Sequence, residues 1–141
     1  MTYFLDTNIC IYFLTGRYPS LLSKMMSHDP EDIKIPAIVK GELIHGAEKS
    51  LRCEENTEKI SAFLLPFEIV PFDEPAADCY GRIKAVLEKN GTPIGPNDLI
   101  IAAAALANDA VLVTNNPAEF GRVNGLRLEN WICAGFDSDS L

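Results

Sequence analysis

Positive charge is scarce in this chain: 12 Lys and Arg stand against 20 Asp and Glu, a formal net charge of −8 over 141 residues. That argues against a nucleic-acid binder working through a broad basic face. It leaves room for a site whose acids carry positive charge only when loaded with divalent cations, and an acidic surface suits a cationic protein partner. Histidine is nearly absent, with 2 residues. The 4 cysteines, Cys10, Cys53, Cys79 and Cys133, are scattered without a CxxC pair, so neither a zinc site nor a disulfide framework is expected, and a reducing compartment fits. No apolar run reaches the roughly 20 residues needed to cross a bilayer. Met1 to Asp6 has no basic segment or cleavable apolar stretch, so it does not read as a signal peptide. A cytoplasmic protein without membrane association is the expectation.

What is present is an ordinary apolar core fraction, 48% of residues, at a one-domain length. A chain of this size buries roughly two-thirds of its unfolded surface and needs no staple to fold. Thr2 to Leu5 reads as a buried strand ending at Asp6. Thr7 and Asn8 offer helix caps before Ile9 to Leu14, and Gly16 stops that helix. A second helix is expected from Pro19 to Ser27, a polar loop from His28 to Asp32, and a strand over Ile33 to Ile35 ending at Pro36. Helices follow over Ala37 to Arg52 and Glu54 to Leu65, a strand over Glu68 to Val70, and a long helix from Glu74 to Asn90. After Pro96-Asn97 the almost wholly apolar Asp98 to Ala107 reads as a buried helix. Val111 to Val113 and Arg127 to Glu129 complete the strands. Strands alternating with helices imply an α/β domain with a mainly parallel sheet. The domain is expected over residues 1–134, with a frayed Asp/Ser-rich tail over 135–141.

Three acids stand where apolar residues are expected. Asp6 ends a buried strand, Glu42 interrupts an apolar helix near its start, and Asp98 opens a helix that is otherwise apolar. Buried carboxylates are costly unless paired, hydrogen-bonded or bound to metal. In a parallel α/β sheet the carboxyl ends of the strands share one edge, and ligands bind there. Asp6 lies on that edge. A helix that follows or precedes a parallel strand begins there too, which brings Glu42 and Asp98 to the same edge. The loop from Thr114 through Asn115, Asn116, Pro117 and Ala118 to Glu119 also leaves it. Oxygen donors without histidine suit Mg²⁺ or Mn²⁺, and a divalent ion would relieve the repulsion between the carboxylates. Blander readings of each acid stay open: a helix cap for Asp6, a first-turn dipole residue for Asp98, a solvated helix residue for Glu42.

Four blocks carry a resemblance. They are Phe4-Leu5-Asp6-Thr7-Asn8, the run from Pro36 through Glu42 to Ala47, Ile94-Gly95-Pro96-Asn97-Asp98 with the following Leu99 to Ala103, and Leu112-Val113-Thr114-Asn115-Asn116-Pro117-Ala118-Glu119-Phe120. In this order and at this length the chain resembles PIN-domain proteins, more narrowly VapC-type toxins of type II toxin–antitoxin pairs, from Thr2 to about Trp131. The resemblance implies a three-layer α/β/α sandwich around a short parallel sheet. It implies a Mg²⁺- or Mn²⁺-dependent endoribonuclease that hydrolyses RNA through a metal-activated water, leaving 5′-phosphates, and inhibits translation. The expected partners are a tRNA or other structured RNA loop, a cognate VapB-type antitoxin and a second copy of the chain in a homodimer.

On the same ground Asp6, Glu42 and Asp98 are the expected catalytic and metal-binding acids, with Asn8 and Thr114 in supporting places. One position departs from the family pattern: many PIN domains carry a fourth acid two residues after the threonine, and Asn116 stands there. Glu119 is the nearest carboxylate and is expected to take over part of that role, directly or through water. Arg17, Lys40, Lys49 and Arg52 are candidate RNA contacts. Two other classes remain as alternatives. A Mg²⁺-dependent phosphatase of the haloacid-dehalogenase type would want a second Asp where Asn8 stands. A non-catalytic PIN-like binding module would have no need of intact acids. A nuclease acting on DNA is distinguishable only by substrate.

Overall fold

The structure, a computed structural model, describes residues 1–132; the expected tail over 135–141 and the upper end of the 1–134 domain lie outside them. In chain order the elements are β1 (Tyr3–Leu5), α1 (Thr7–Thr15), α2 (Pro19–Met26), a 3₁₀ turn (Pro30–Asp32), β2 (Ile33–Pro36), α3 (Ala37–Glu48), α4 (Cys53–Leu64), β3 (Glu68–Val70), α5 (Glu74–Lys89), α6 (Pro96–Ala107), β4 (Val111–Val113), α7 (Pro117–Phe120) and β5 (Arg127–Glu129). The strands form one sheet in the order β3-β2-β1-β4-β5, with every neighbouring pair parallel.

Successive residues of a strand face opposite sides of a sheet. Phe4 and Leu5 of β1, and Val111, Leu112 and Val113 of β4, are all buried. Both faces of the central strands are therefore covered, which is why these strands read as continuous apolar runs rather than alternating ones. The result is the expected helix–sheet–helix sandwich. α1, α3 and α4 pack on one another, and α5 packs along α6. α6 can lie deep in the core because its interior is small: Ala102, Ala103, Ala104 and Ala105 are all buried between Ile101 and the chain's turn into β4.

The strand order places the switch point of the topology between β1 and β4. From β1 the chain winds outward through β2 to β3, then returns to β4 on the other side of β1 and continues to β5. Crevices at such switch points, outside the carboxyl ends of the strands, are where open α/β sheets bind ligands. Register fixes who meets there. Leu5 pairs with Val113, so the next residues, Asp6 and Thr114, leave the sheet side by side. The Asp6 N–H donates to the Val113 carbonyl at 3.1 Å.

The elements differ from the sequence expectation in five places. α1 opens at Thr7, two residues ahead of Ile9, and its cap is Asp6 rather than Thr7 or Asn8. The loop from His28 to Asp32 contains a 3₁₀ turn, because Asp29 caps it by accepting the Glu31 N–H at 3.0 Å and Pro30 is pre-set for its first position. α3 ends at Glu48 rather than running to Arg52, with the Ser50 hydroxyl donating to the Ala47 carbonyl at 2.7 Å. α6 opens at Pro96, two residues ahead of Asp98, since proline suits a first helical position whose N–H has no helical partner. The segment after β4 forms the one-turn α7 instead of remaining a loop.

The close approach of α6 gives a test. Ala103 is fully buried, so Ala103→Leu must displace its neighbours, at a cost of about 1–3 kcal/mol. Urea unfolding should show a lower midpoint with an unchanged slope; an unchanged midpoint would mean that α6 is not tightly seated.

Candidate active site

The switch point gathers the acids. Asp6 is 5% exposed and Thr114 1% exposed, the two buried polar residues among those described. Asp6 does cap α1, as its bland reading held: one carboxylate oxygen accepts the Ile9 N–H at 2.9 Å. It also accepts a hydrogen bond from the Thr114 hydroxyl. Burial raises the Asp6 carboxyl above its ordinary value, while the Thr114 and Ile9 donors pull it down and the charge of Glu42 pushes it up. Asp6 is thus both a cap and a member of a charged cluster.

Glu42 sits in the second turn of α3 and is half-buried. Its two oxygens have separate donors from two other helices. The Thr7 hydroxyl, at the start of α1, donates to Oε1. The Asn97 amide, in the first turn of α6, donates to Oε2 at 2.9 Å. The sequence showed Thr7 only as a helix cap and Asn97 only as punctuation before a helix, so both were missed as partners of Glu42. Their one visible signal was position: each adjoins an acid, Asp6 or Asp98, at the same sheet edge.

Asp98 and Glu119 form the other half of the site. Burial pushes the Asp98 carboxyl up to about 7, reinforced by its hydrogen bond to Glu119 and by the charges of Glu119, Asp6 and Glu42. Glu119 moves the opposite way, held low chiefly by the hydrogen bond from Asp98, against an upward push from burial, with the Gly95 N–H and the charge of Arg122 adding smaller downward pulls. The hydrogen bond between the two is one in which Asp98 is the donor and Glu119 the acceptor. The Gly95 N–H to Glu119 Oε2 distance is 3.3 Å.

Asn116 stands beside Glu119. It caps α7, accepting the Glu119 N–H at 3.4 Å, while its amide nitrogen lies 3.5 Å from Glu119 Oε1. Its own N–H donates to the Thr114 hydroxyl at 3.0 Å. An Asn cap followed three residues later by Glu is a helix-start signature, and here it swings Glu119 to Asp98.

Asn8 lies exposed in the first turn of α1; among the described hydrogen bonds none joins it to the acids. Two of the candidate RNA contacts stand elsewhere. Arg17 follows α1 and stacks over Tyr12 and Tyr18, 5.6 and 5.4 Å from their ring centres, at the far end of the helix from Asp6. Arg52 faces Glu55 at 3.8 Å.

Asp98 feels the charges of Glu119, Asp6 and Glu42, and Asp6 feels that of Glu42. Among the described residues, no three His, Cys, Asp or Glu side chains are arranged to hold an ion as they stand. Thr7 and Asn97 engage Glu42, and Asp98 is hydrogen-bonded to Glu119.

A parallel, doubly wound α/β domain with carboxylates from four segments at its switch point is a class of acidic-site domain. The chain belongs to the PIN-domain family, whose model matches residues 3–126. It is similar to ribonuclease VapC2 of Rickettsia felis, 42% identical over 132 residues that cover 93% of this chain and 98% of that one. It is 38% identical over 131 residues to the tRNA(fMet)-specific endonuclease VapC of Salmonella typhimurium, covering 93% and 98% of the two chains. Among solved structures it is similar to a chain of the DNA-bound VapBC of Salmonella typhimurium, with a TM-score of 0.88, 37% identity and coverage of 93% and 98%. VapBC2 of Rickettsia felis, bound to a DNA fragment from its promoter, gives 0.87, 40%, and coverage of 93% and 99%. These likenesses bear out the PIN fold and the narrower resemblance to VapC, and identify the chain as a nuclease-type hydrolase.

The Asp98 geometry predicts a pH dependence for the metal-free protein. A carboxyl raised from 3.8 to about 7 in the folded state stabilises fully below its ordinary value, and that contribution is lost as pH rises through about 7. The lowered Glu119 acts in the opposite sense, losing its contribution as pH falls below its ordinary 4.5, outside that window. In urea unfolding with EDTA, Asp98→Asn should gain on the wild type as pH rises from about 4.5 to about 7 and hold that gain above it. Parallel pH profiles for the two proteins would contradict the assignment.

Proposed function

We propose that this chain is the endoribonuclease toxin of a toxin–antitoxin pair and that its acid cluster works with Mg²⁺, or Mn²⁺ as substitute. The observation that carries this reading is the Asp98–Glu119 pair beside Asp6 and Glu42: burial and the charges of Glu119, Asp6 and Glu42 push the Asp98 carboxyl up to about 7. The donors are all oxygen, which suits a hard divalent ion. Asp6, Glu42 and Asp98 would hold it, with Glu119 beside them. When bound, such an ion supplies positive charge for a phosphodiester and a more acidic water.

The chain's own groups prepare that site. The Thr114 hydroxyl and the Ile9 N–H orient the Asp6 carboxylate and oppose the upward push of its burial. Asn116 aims Glu119, which accepts the hydrogen bond of the Asp98 carboxyl. Asn8 flanks the first acid from the exposed side of α1.

The substrate in this reading is RNA, a tRNA or another structured RNA loop. The name of the Salmonella relative, a tRNA(fMet)-specific endonuclease, supports that choice. Unpaired loop bases and backbone can enter a small acidic cleft that a duplex cannot. Cleavage of such RNA in the cytoplasm stops translation.

A VapB-type antitoxin is the proposed neutralising partner, since the similar solved structures are VapBC complexes. A groove of about 440 Å³ lies between α1, α3 and α4, lined by Ile11, Leu14, Leu43 and Ile60 and by Glu42. An apolar antitoxin segment fits that groove, and a terminal Arg or Lys would reach the acids and replace the metal's charge. The net charge of −8 favours such a cationic partner. A homodimer belongs to the same reading.

Purified protein freed of antitoxin should cleave a labelled initiator tRNA transcript with Mg²⁺ or Mn²⁺ and leave 5′-phosphates. EDTA should stop it. Asp6→Asn and Asp98→Asn should each lower the rate by more than the roughly 100-fold that outer-shell substitutions reach. Activity that survives EDTA or either substitution would remove the metal reading. A well-folded protein that cleaves no RNA would favour a binding module.

A further inference from the structure

We propose that Asn97 is a positioning residue for Glu42, so that the first turn of α6 supplies one acid of the site and the clamp for another. The proposal rests on the ribonuclease reading above. Glu42 reaches the site from the second turn of α3 on a side chain with three free torsions, so its carboxylate has no fixed place of its own. Two donors fix it, one on each oxygen: the Thr7 hydroxyl on Oε1 and the Asn97 amide on Oε2, at 2.9 Å.

Neither donor belongs to α3. Thr7 is the first residue of α1, directly after Asp6, and Asn97 directly precedes Asp98 in α6. Glu42 is therefore located relative to the two backbones that carry the other acids, and the three move as one unit. Bridging 35 and 55 residues of sequence, the two bonds also tie the starts of α1, α3 and α6 together.

The residue type matters. A Lys at position 97 would discharge Glu42 and compete with a divalent ion, and an Asp would repel it. A neutral amide donor orients the carboxylate and leaves its charge intact, which is how outer-shell partners tune acids without replacing the ion. Asn97 is exposed, so a direct contact with RNA is the rival role, and kinetics separates the two.

The test uses the full chain and the labelled initiator tRNA transcript. Asn97→Ala should lower kcat by about 10–100-fold and leave KM within about twofold. Asn97→Asp should be at least as slow. In a Glu42→Gln background, Asn97→Ala should add less than about a twofold change, because the residue acts through Glu42. A raised KM with kcat unchanged would make Asn97 an RNA contact, and a full further loss in the Glu42→Gln background would mean that it acts independently; either overturns the proposal. A second readout needs neither metal nor turnover. In NMR spectra of the metal-free protein, one Asn97 side-chain amide proton should move upfield in Glu42→Ala, and an unmoved pair would overturn the clamp. Should the wild type cleave nothing, the ribonuclease reading fails while this signature still decides the clamp.

Discussion

Like charge brought together at one edge of a sheet is the constraint on which the rest of this structure depends. Asp6, Glu42, Asp98 and Glu119 come from four segments, and the parallel topology gives them no other place to go. β1 ends at the switch point, and α3 and α6 start at the same edge. α7 turns back toward it directly after β4. Burial and mutual repulsion would scatter the side chains if the surroundings did not hold them.

The holding groups are small and local. Two backbone N–H groups, of Ile9 and Gly95, serve Asp6 and Glu119. Two hydroxyls add to them: Thr114 for Asp6 and Thr7 for Glu42. Among the described residues, no buried side-chain polar atom is left without a partner. What the hydrogen bonds do not remove is net negative charge. Burial and that excess together push the Asp98 carboxyl up to about 7, hydrogen-bonded to Glu119.

Much of this was legible from the residues. The alternation of apolar strands and amphipathic helices marks a parallel α/β domain, and Asp6, Glu42 and Asp98 stand out because each is an acid where the pattern calls for an apolar residue. The partners of those acids were not legible. Nothing local to Asn97 says that its amide meets a carboxylate 55 positions away; only the packing of α6 against α3 does. The cap role of Asn116 was hidden for a different reason. Its spacing after Thr114 invites comparison with a fourth acid, but followed by Pro117 and, two residues further, Glu119, it carries the local chemistry of a helix cap, and a single helical turn is too short to announce itself by periodicity. Likewise the polar His28 to Asp32 stretch hid a 3₁₀ turn behind an Asp-Pro cap.

The central claim is that the acid cluster holds a proton where a divalent ion belongs. Titration calorimetry of Mn²⁺ into metal-free protein, in buffers of different ionisation enthalpy, tests it most directly. The account predicts release of about one proton per ion bound near pH 6 and almost none above about pH 9. Binding heats independent of buffer near pH 6, with no proton released, would contradict it.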